Sequence, residues 1–174
     1  MENIKDNMKL VKEHIKESVG IKPLKYIPPF EGDIDLSDKG ITKLPKDLPK
    51  KIIGSFYCSN NKLTSLEGVP TSVDGGFYCY YNNLTSLEGA PTSVGGDFIC
   101  YYNNLISLVG APTLVGGDFY CSYNKLTSLK GAPTSVGGDF YCYGNNIPKE
   151  EIERYYRTGA VQRTIYSDHG EYRR

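Results

Sequence analysis

Five cysteines carry the most reactive side chains of this sequence, and they are evenly spaced. They lie at intervals of 21 residues: Cys58, Cys79, Cys100, Cys121 and Cys142. Zinc needs ligands that converge on one tetrahedral point, and a disulfide needs two Cβ atoms that face each other. Even spacing predicts instead a ladder of parallel side chains, and an odd number cannot pair completely. We therefore expect buried free thiols and no metal site.

Other residue patterns that could support catalysis are missing from the sequence. The two histidines, His14 and His169, have no nucleophile or second ligand at motif spacing. The Gly-Gly pairs are not a phosphate loop, because no Walker or dinucleotide-binding pattern surrounds them. The sequence thus predicts a protein that is not an enzyme and that needs no cofactor.

A repeat of 21 residues accounts for the cysteine spacing. Its unit reads F-x-C-x-x-N-x-L-x-x-L-x-G-x-P, and it begins at Phe56, Phe77, Phe98, Phe119 and Phe140. A degenerate first unit places Ile34, Leu36, Ile41 and Leu44 at the apolar positions. Units of this length cannot bury an apolar face alone, so neighbouring units must stack. The sequence predicts a repeat solenoid with Phe, Cys, Leu and Val ladders inside.

Each unit should contribute one strand and one segment that leads back to the start of the next strand, which we call the return path. In F-x-C the alternation has a period of two, which predicts a short strand with Phe and Cys on one side. Parallel stacking then aligns identical columns at about 4.8 Å. A buried Asn ladder would satisfy backbone groups of successive turns of the chain. Gly-x-Pro and Gly-Gly segments permit positive φ, so they favour turns or 3₁₀ pieces on the return path.

The run C-x-x-N-x-L-x-x-L resembles the conserved half of the leucine-rich repeat. The segments ITKLPKDLPKKII at 41–53 and SNNKLTSL at 59–66 are similar to the short repeats of bacterial leucine-rich effectors. The resemblance covers 34–147 and departs from the family in having Gly-Gly-Asp where a Leu usually opens the unit. It implies a parallel β-sheet on a concave face and turns or 3₁₀ pieces on a convex face. Similar arrays in phage and prophage reading frames imply a bacterial or phage origin.

Both ends of the array have helical signals, which predicts three regions. Ile4, Met8, Val11 and Ile15 share one helix face, which predicts a helical cap over 1–33. Six repeats, the first degenerate, occupy 34–147. A helix that begins near Pro148 and ends at Gly159, followed by a tail, predicts a second cap over 148–174. The basic N-terminal helix could instead lie on a membrane, but its acidic residues favour the cap.

The residues on either side of each cysteine should point outward, and most of them are tyrosines. We predict a protein-binding face made of Tyr57, Tyr78, Tyr80, Ile99, Tyr101, Tyr120, Tyr141 and Tyr143, edged by Asp97, Asp118 and Asp139. Tyrosine combines a large contact area with a hydroxyl group and little loss of entropy on binding. The alternative is purely structural, because tyrosine favours strands and stacks across them.

Charge narrows the choice of partner. The chain has a net charge of zero, and 56–147 hold three lysines against six acidic residues. This balance disfavours nucleic acid as the ligand of the repeats. No long apolar run or signal peptide is present, so we expect no membrane association and a cytoplasmic protein, in a bacterial host if phage-encoded.

The function that these features favour is capture of another protein, by occlusion or scaffolding. By analogy with the family it resembles, the chain would inhibit a host defence or regulatory factor. Two alternatives stay open at this point. One is nucleic-acid binding, with tyrosines stacking on bases, and the other is self-assembly through edge strands or the tyrosine face.

Overall fold

Each repeat forms one turn of a β-solenoid in the computed structural model, which describes residues 28–174. The solenoid has about seven turns. The strands are β1 (Phe30–Glu31), β2 (Ile34–Asp35), β3 (Lys51–Ile53), β4 (Phe56–Tyr57), β5 (Ser72–Val73), β6 (Phe77–Tyr78), β7 (Ser93–Val94), β8 (Phe98–Ile99), β9 (Leu114–Val115), β10 (Phe119–Tyr120), β11 (Ser135–Val136), β12 (Phe140–Tyr141), β13 (Thr164–Ser167) and β14 (Gly170–Arg173). The predicted N-terminal helical face of Ile4, Met8, Val11 and Ile15 lies outside the described residues.

The strands that open with Phe form the larger sheet. Its order is β14-β13-β12-β10-β8-β6-β4-β2, and all pairs are parallel except β13 with β14. Equivalent residues of successive turns are partners, so Phe77 pairs with Phe98 and Tyr120 with Tyr141. The parallel sheet and in-register columns that the repeat predicts are thus confirmed.

A second parallel sheet forms on the return path, in the order β1-β3-β5-β7-β9-β11. The return path contains the predicted turns, but it also forms these strands, and no 3₁₀ helix occurs between residues 28 and 174. The reason is the Ser-Val pair of each turn, where Val94 and its equivalents point inward and are buried. Backbone N–H and C=O groups on the return path also need hydrogen-bond partners. The next turn offers the equivalent backbone groups one strand spacing away.

The core consists of ladders between the two sheets. The five repeat Phe side chains are fully buried, and their rings stack with centroids 5.2 to 5.4 Å apart. The five cysteines and the Leu columns are buried in the same core. All five thiols are free, as the ladder arrangement predicts.

The asparagine ladder connects each turn to the preceding one. The Nδ2 atom of Asn82 donates to the carbonyl oxygens of Cys58 and Cys79, at 3.0 and 3.1 Å. Its Oδ1 accepts the backbone N–H of Leu63 at 3.0 Å. Asn103 repeats this pattern one turn later. The buried Asn ladder is confirmed, and it needs both the donor and the acceptor of the amide.

The first glycine of the aligned Gly-Gly pairs permits close packing of backbones, not positive φ. A Cβ atom on Gly116 would overlap the carbonyl oxygen of Gly95 in the preceding turn. Positive φ occurs instead in the Gly-x-Pro segments, as at Gly110 with φ 89°. The spacing of the second sheet therefore depends on the absence of a side chain at these positions.

A helix and a hairpin follow the last repeat. Helix α1 (Lys149–Thr158) begins after Pro148 and ends at Gly159, which adopts φ 78°. Its buried Tyr155 packs against Phe140 at 5.0 Å, and its hydroxyl donates to the carbonyl oxygen of Pro133 at 2.8 Å. The hairpin of β13 and β14 then extends the larger sheet. Within 28–174, no helix is long and apolar enough to cross a membrane.

Candidate binding face

The outer side of the larger sheet carries four side-chain columns, which we call together the tyrosine face. Phe and Cys point inward, so the residues before, between and after them point outward. The aspartate column holds Asp33, Ser55, Gly76, Asp97, Asp118 and Asp139. The strand column holds Asp35, Tyr57, Tyr78, Ile99, Tyr120, Tyr141 and Tyr166. The post-cysteine column holds Ser37, Ser59, Tyr80, Tyr101, Ser122 and Tyr143. The turn column holds Asp38, Asn60, Tyr81, Tyr102, Tyr123 and Gly144.

Tyrosines of the strand column stack in parallel pairs. Tyr57 and Tyr78 have ring centroids 4.6 Å apart, and Tyr120 and Tyr141 have theirs at 4.2 Å. Tyr166 of the hairpin extends the second stack at 4.7 Å. Because Ile99 takes the middle position, the column is divided into two stacks.

Serines precede and interrupt the tyrosines of the post-cysteine column. Tyr80 and Tyr101 stack at 4.8 Å, whereas Ser59 and Ser122 occupy the equivalent positions of other turns. We expected both serines to be exposed, but only 1% and 2% of their surface is accessible. Ser122 stands between the larger Tyr101 and Tyr143 in this column, and Ser59 stands next to Tyr80. Their hydroxyl oxygens have no hydrogen-bond partner among the described residues.

The turn column contains three tyrosines that were missing from the predicted set. Tyr81, Tyr102 and Tyr123 have φ values of 50 to 53° and are 42 to 47% exposed. Their rings stack at 4.8 and 4.5 Å. A bulky side chain in this left-handed region costs about 1–2 kcal/mol. Asn60 and Gly144 stand in the same column, and both residue types suit a left-handed conformation. They were the signal in the sequence that could have indicated positive φ in this column.

Contacts between the post-cysteine and turn columns join their tyrosines into one aromatic surface. Tyr101 lies edge-on to Tyr81 and to Tyr102, with centroids 5.6 Å away in both cases. Tyr143 lies edge-on to Tyr123 at 5.3 Å. Edge-to-face and offset-stacked pairs each add about 0.5–1.5 kcal/mol to area burial. The tyrosines therefore hold one another in place on a sheet that is itself held by the Asn ladder.

The aspartates of the face bind backbone as well as tyrosine. Oδ1 of Asp97 accepts the N–H of Asp118 at 2.8 Å, and Oδ1 of Asp118 accepts that of Asp139 at 2.8 Å. On the other oxygen, Oδ2 of Asp118 accepts the hydroxyl of Tyr120 at 3.1 Å. Asp139 accepts the hydroxyl of Tyr141 in the same way at 3.4 Å. These carboxylates thus bind the backbone of the next turn where its strand begins, and they bring negative charge to the face.

Burial is the largest cause that raises the pKa of Tyr78, Tyr101, Tyr120 and Tyr141, and nearby titratable groups raise it further. These hydroxyls therefore stay protonated at neutral pH and act as hydrogen-bond donors. Burial also raises the pKa of all five thiols, that of Cys142 to about 12. A neutral buried thiol is a poor nucleophile. The face is therefore chemically suited to binding through contact, hydrogen bonds and charge.

The structure brings every residue of the predicted set together on this face. Most of the predicted tyrosines, and Ile99, are half-buried, and Tyr143 is 36% exposed. The predicted aspartates lie in the neighbouring column. Among the described residues, no group of three or more His, Cys, Asp or Glu is placed to hold a metal ion.

The opposite sheet has a different surface. A shallow groove of about 370 Å³ runs along it, lined by Ser72, Ser93, Leu114 and Ser135 with the glycines of the turns. Leu114 is 54% exposed where the equivalent residues are serines. Ile106 and Val109 of the same repeat are also exposed. This sheet has small side chains and lacks the aromatic columns of the tyrosine face.

No protein-family model and no curated protein matches the chain.

Proposed function

We propose that the chain is a non-enzymatic module that captures a partner protein on its tyrosine face. The observation that supports this proposal is the turn column, where Tyr81, Tyr102 and Tyr123 are exposed at positive φ. Strained residues that persist on a surface are more common at binding sites than elsewhere. Their rings add hydroxyls and aromatic area to the predicted set.

Stacking alone is a weaker explanation of the turn column. A stacked pair stabilises by about 0.5–1.5 kcal/mol, which is offset by about 1–2 kcal/mol for each left-handed tyrosine. Gly144 makes the same turn in the last repeat without this strain. Stability therefore gives little reason for tyrosine at these positions, whereas a contact surface does.

The two alternative functions have less support. Nucleic-acid binding would place phosphates against a face that carries Asp97, Asp118 and Asp139. Self-assembly through β14 would need its free edge, but the hydroxyl of Tyr156 donates to the carbonyl oxygen of Arg173 there, at 2.6 Å. The charges of Glu171 and Arg173 also lie on this strand, and charged edges resist pairing with another sheet.

We include the resemblance to short leucine-rich-repeat proteins in this proposal. It implies a concave binding surface, helical caps at both ends, a bacterial or phage origin and a role as an inhibitor in the bacterial cytoplasm. A rigid, preformed sheet loses little entropy when it binds, which favours tight capture. A tightly held partner would then be inhibited because the chain covers part of its surface.

Photocrosslinking tests the proposal directly. A photoreactive phenylalanine analogue at Tyr102 should form one dominant crosslink to a protein of the native host. The same analogue at Ser93, on the opposite sheet, serves as the matched control and should not form it. Mass spectrometry of the crosslinked product identifies the partner.

Paired substitutions then separate binding from folding. Tyr80→Ala with Tyr101→Ala should abolish capture, with an unchanged circular dichroism spectrum. Tyr102→Gly removes a ring and also relieves the positive φ, so the free energy of unfolding should change by less than about 1 kcal/mol. Capture that survives all three changes, or equal crosslinking from Tyr102 and Ser93, would refute the proposal.

A further inference from the structure

The tyrosine face is anionic along most of its length. Between residues 33 and 144 its four columns hold six carboxylates, namely Asp33, Asp35, Asp38, Asp97, Asp118 and Asp139, and no lysine or arginine. At neutral pH the surface therefore combines negative charge with aromatic rings. A face of one sign steers and selects partners of the opposite sign.

Asp97 differs from the aspartates that follow it in the column. Asp118 and Asp139 accept tyrosine hydroxyls on Oδ2. The equivalent residue beside Asp97 is Ile99, which has no hydroxyl to donate. Within the described part of the chain, Asp97 accepts only the backbone N–H of Asp118, on Oδ1. Of Asp97, Asp118 and Asp139, only Asp97 has an Oδ2 that accepts no hydrogen bond from the described residues and is left for a ligand.

Aromatic rings stand on both sides of this position. Ile99 lies between Tyr78 and Tyr120 in the strand column, and the sheet register places these residues two strand spacings apart, about 9.6 Å. Tyr101 follows Ile99 in the same turn, across the buried Cys100. A planar cation above Ile99 would have the rings of Tyr78 and Tyr120 on either side of it. The edge of the cation would face the carboxylate of Asp97.

Arginine fits these groups better than lysine does. Its guanidinium is planar, stacks on aromatic rings and donates paired hydrogen bonds to a carboxylate, whereas the lysine ammonium is a compact, strongly hydrated charge. The chain itself contains one such pair, since the guanidinium of Arg174 lies over the Tyr156 ring, 5.0 Å from its centroid. Cation–π contacts at exposed sites contribute about 0.5–1 kcal/mol each.

We propose that the tyrosine face binds an arginine-rich segment of its partner, with one arginine held by Asp97 in the interruption that Ile99 makes in the strand column. This inference rests on the proposed function and names the chemistry of the partner. The neighbouring carboxylates attract the remaining arginines, and the tyrosine rings cover their side-chain stems.

Synthetic peptides test the inference without knowledge of the partner. The probes are an arginine–glycine peptide and a lysine–glycine peptide of equal length and charge, measured by isothermal titration calorimetry. The arginine peptide should bind about tenfold more tightly than the lysine peptide, which corresponds to about 1.4 kcal/mol. Binding should weaken as salt increases, because the carboxylates of the face lie at the surface, where salt screens them.

Two variants locate the arginine. Asp97→Asn keeps an oxygen for the N–H of Asp118 but loses the charge, so affinity for the arginine peptide should fall by about five- to tenfold. Ile99→Tyr restores the residue found at the equivalent positions, which fills the interruption and gives Asp97 a hydroxyl donor. It should fold normally and weaken binding by a similar factor.

The control is Asp74→Asn, which makes the same charge change on the opposite sheet. Asp74 pairs with Lys51 at 3.2 Å, and both side chains are more than 40% exposed. Affinity within twofold of the unmodified chain is expected. Equal affinity for the two peptides, or equal losses in Asp97→Asn and Asp74→Asn, would overturn the inference. If the crosslink from Tyr102 still forms in that case, the proposed function stands and the partner is not basic.

Discussion

Replacing Asn103 by Ala removes the amide that connects two turns in the middle of the solenoid. Asn103 is 8% exposed, and its Nδ2 donates to the carbonyl oxygens of Cys79 and Cys100 at 3.0 and 3.1 Å. Its Oδ1 accepts the N–H of Leu84 at 3.0 Å. The variant loses all of these bonds in a place that water does not reach.

The partners of these bonds decide how large the loss is. The carbonyl of Cys79 keeps a bond from Asn82, and that of Cys100 keeps one from Asn124. Each lost bond to these carbonyls therefore costs about 1 kcal/mol. The N–H of Leu84 is left without its partner, at about 1–3 kcal/mol. The free energy of unfolding should fall by about 3–5 kcal/mol, a large part of the stability of a domain.

Asn103→Asp makes the same site dependent on pH. The introduced carboxylate would face two carbonyl oxygens, so its folded-state pKa rises above the ordinary aspartate value of about 3.9. The protonated acid can donate one hydrogen bond, and the ionised form cannot. The contribution of this group to stability is therefore complete below about pH 4 and is lost as the pH rises through the folded-state pKa. The deficit relative to the unmodified chain should be larger at about pH 7 than at about pH 4.

Urea unfolding, followed by circular dichroism and tyrosine fluorescence, measures these differences. Asn104→Ala is the matched control, because Asn104 is the next residue and its side chain makes no hydrogen bond within the described residues. It should stay within about 0.5 kcal/mol of the unmodified chain. A loss below about 1 kcal/mol in Asn103→Ala, or equal losses in the two variants, would refute the structural role of the ladder.

Three further predictions concern the core and the second sheet. At pH 8 a thiol reagent such as dithiobis(nitrobenzoic acid) should leave the native thiols unmodified for minutes and react with all five after unfolding, because burial keeps the native thiols neutral and away from the reagent. The folded-state pKa values of the thiols lie above the ordinary 9.0, so the contribution of the neutral thiols to stability is complete below pH 9 and should fall as the pH rises above it. An unfolding midpoint that is constant to about pH 10.5 would contradict this. Gly116→Ala should lower stability by about 1–3 kcal/mol, because the added methyl group overlaps the carbonyl oxygen of Gly95, whereas Ser93→Ala on the same sheet should change little. Equal stability of these two variants in urea would show that the turns are not in close contact there.

The sequence alone predicts the columns of this protein because each column repeats one residue type at one interval. Phe98, Cys100 and Leu105 read as interior residues from their period and apolar character, and the structure buries all of them. Asn103 reads as a buried ladder residue because only an amide offers both donors and an acceptor. The outward tyrosines follow from the alternation of a strand, which needs no long-range information.

Tertiary structure decides the features that depend on how neighbouring turns meet. The second sheet forms because the return segments of successive turns come within one strand spacing, which the repeat pattern does not show. Ser122 is buried by its larger neighbours despite its outward position, and Tyr102 adopts a left-handed conformation that its residue type disfavours. The free oxygen of Asp97 likewise depends on Ile99 in the same turn and on Asp118 in the next. Periodicity determines which residues form a column, whereas contacts between turns determine what each column exposes.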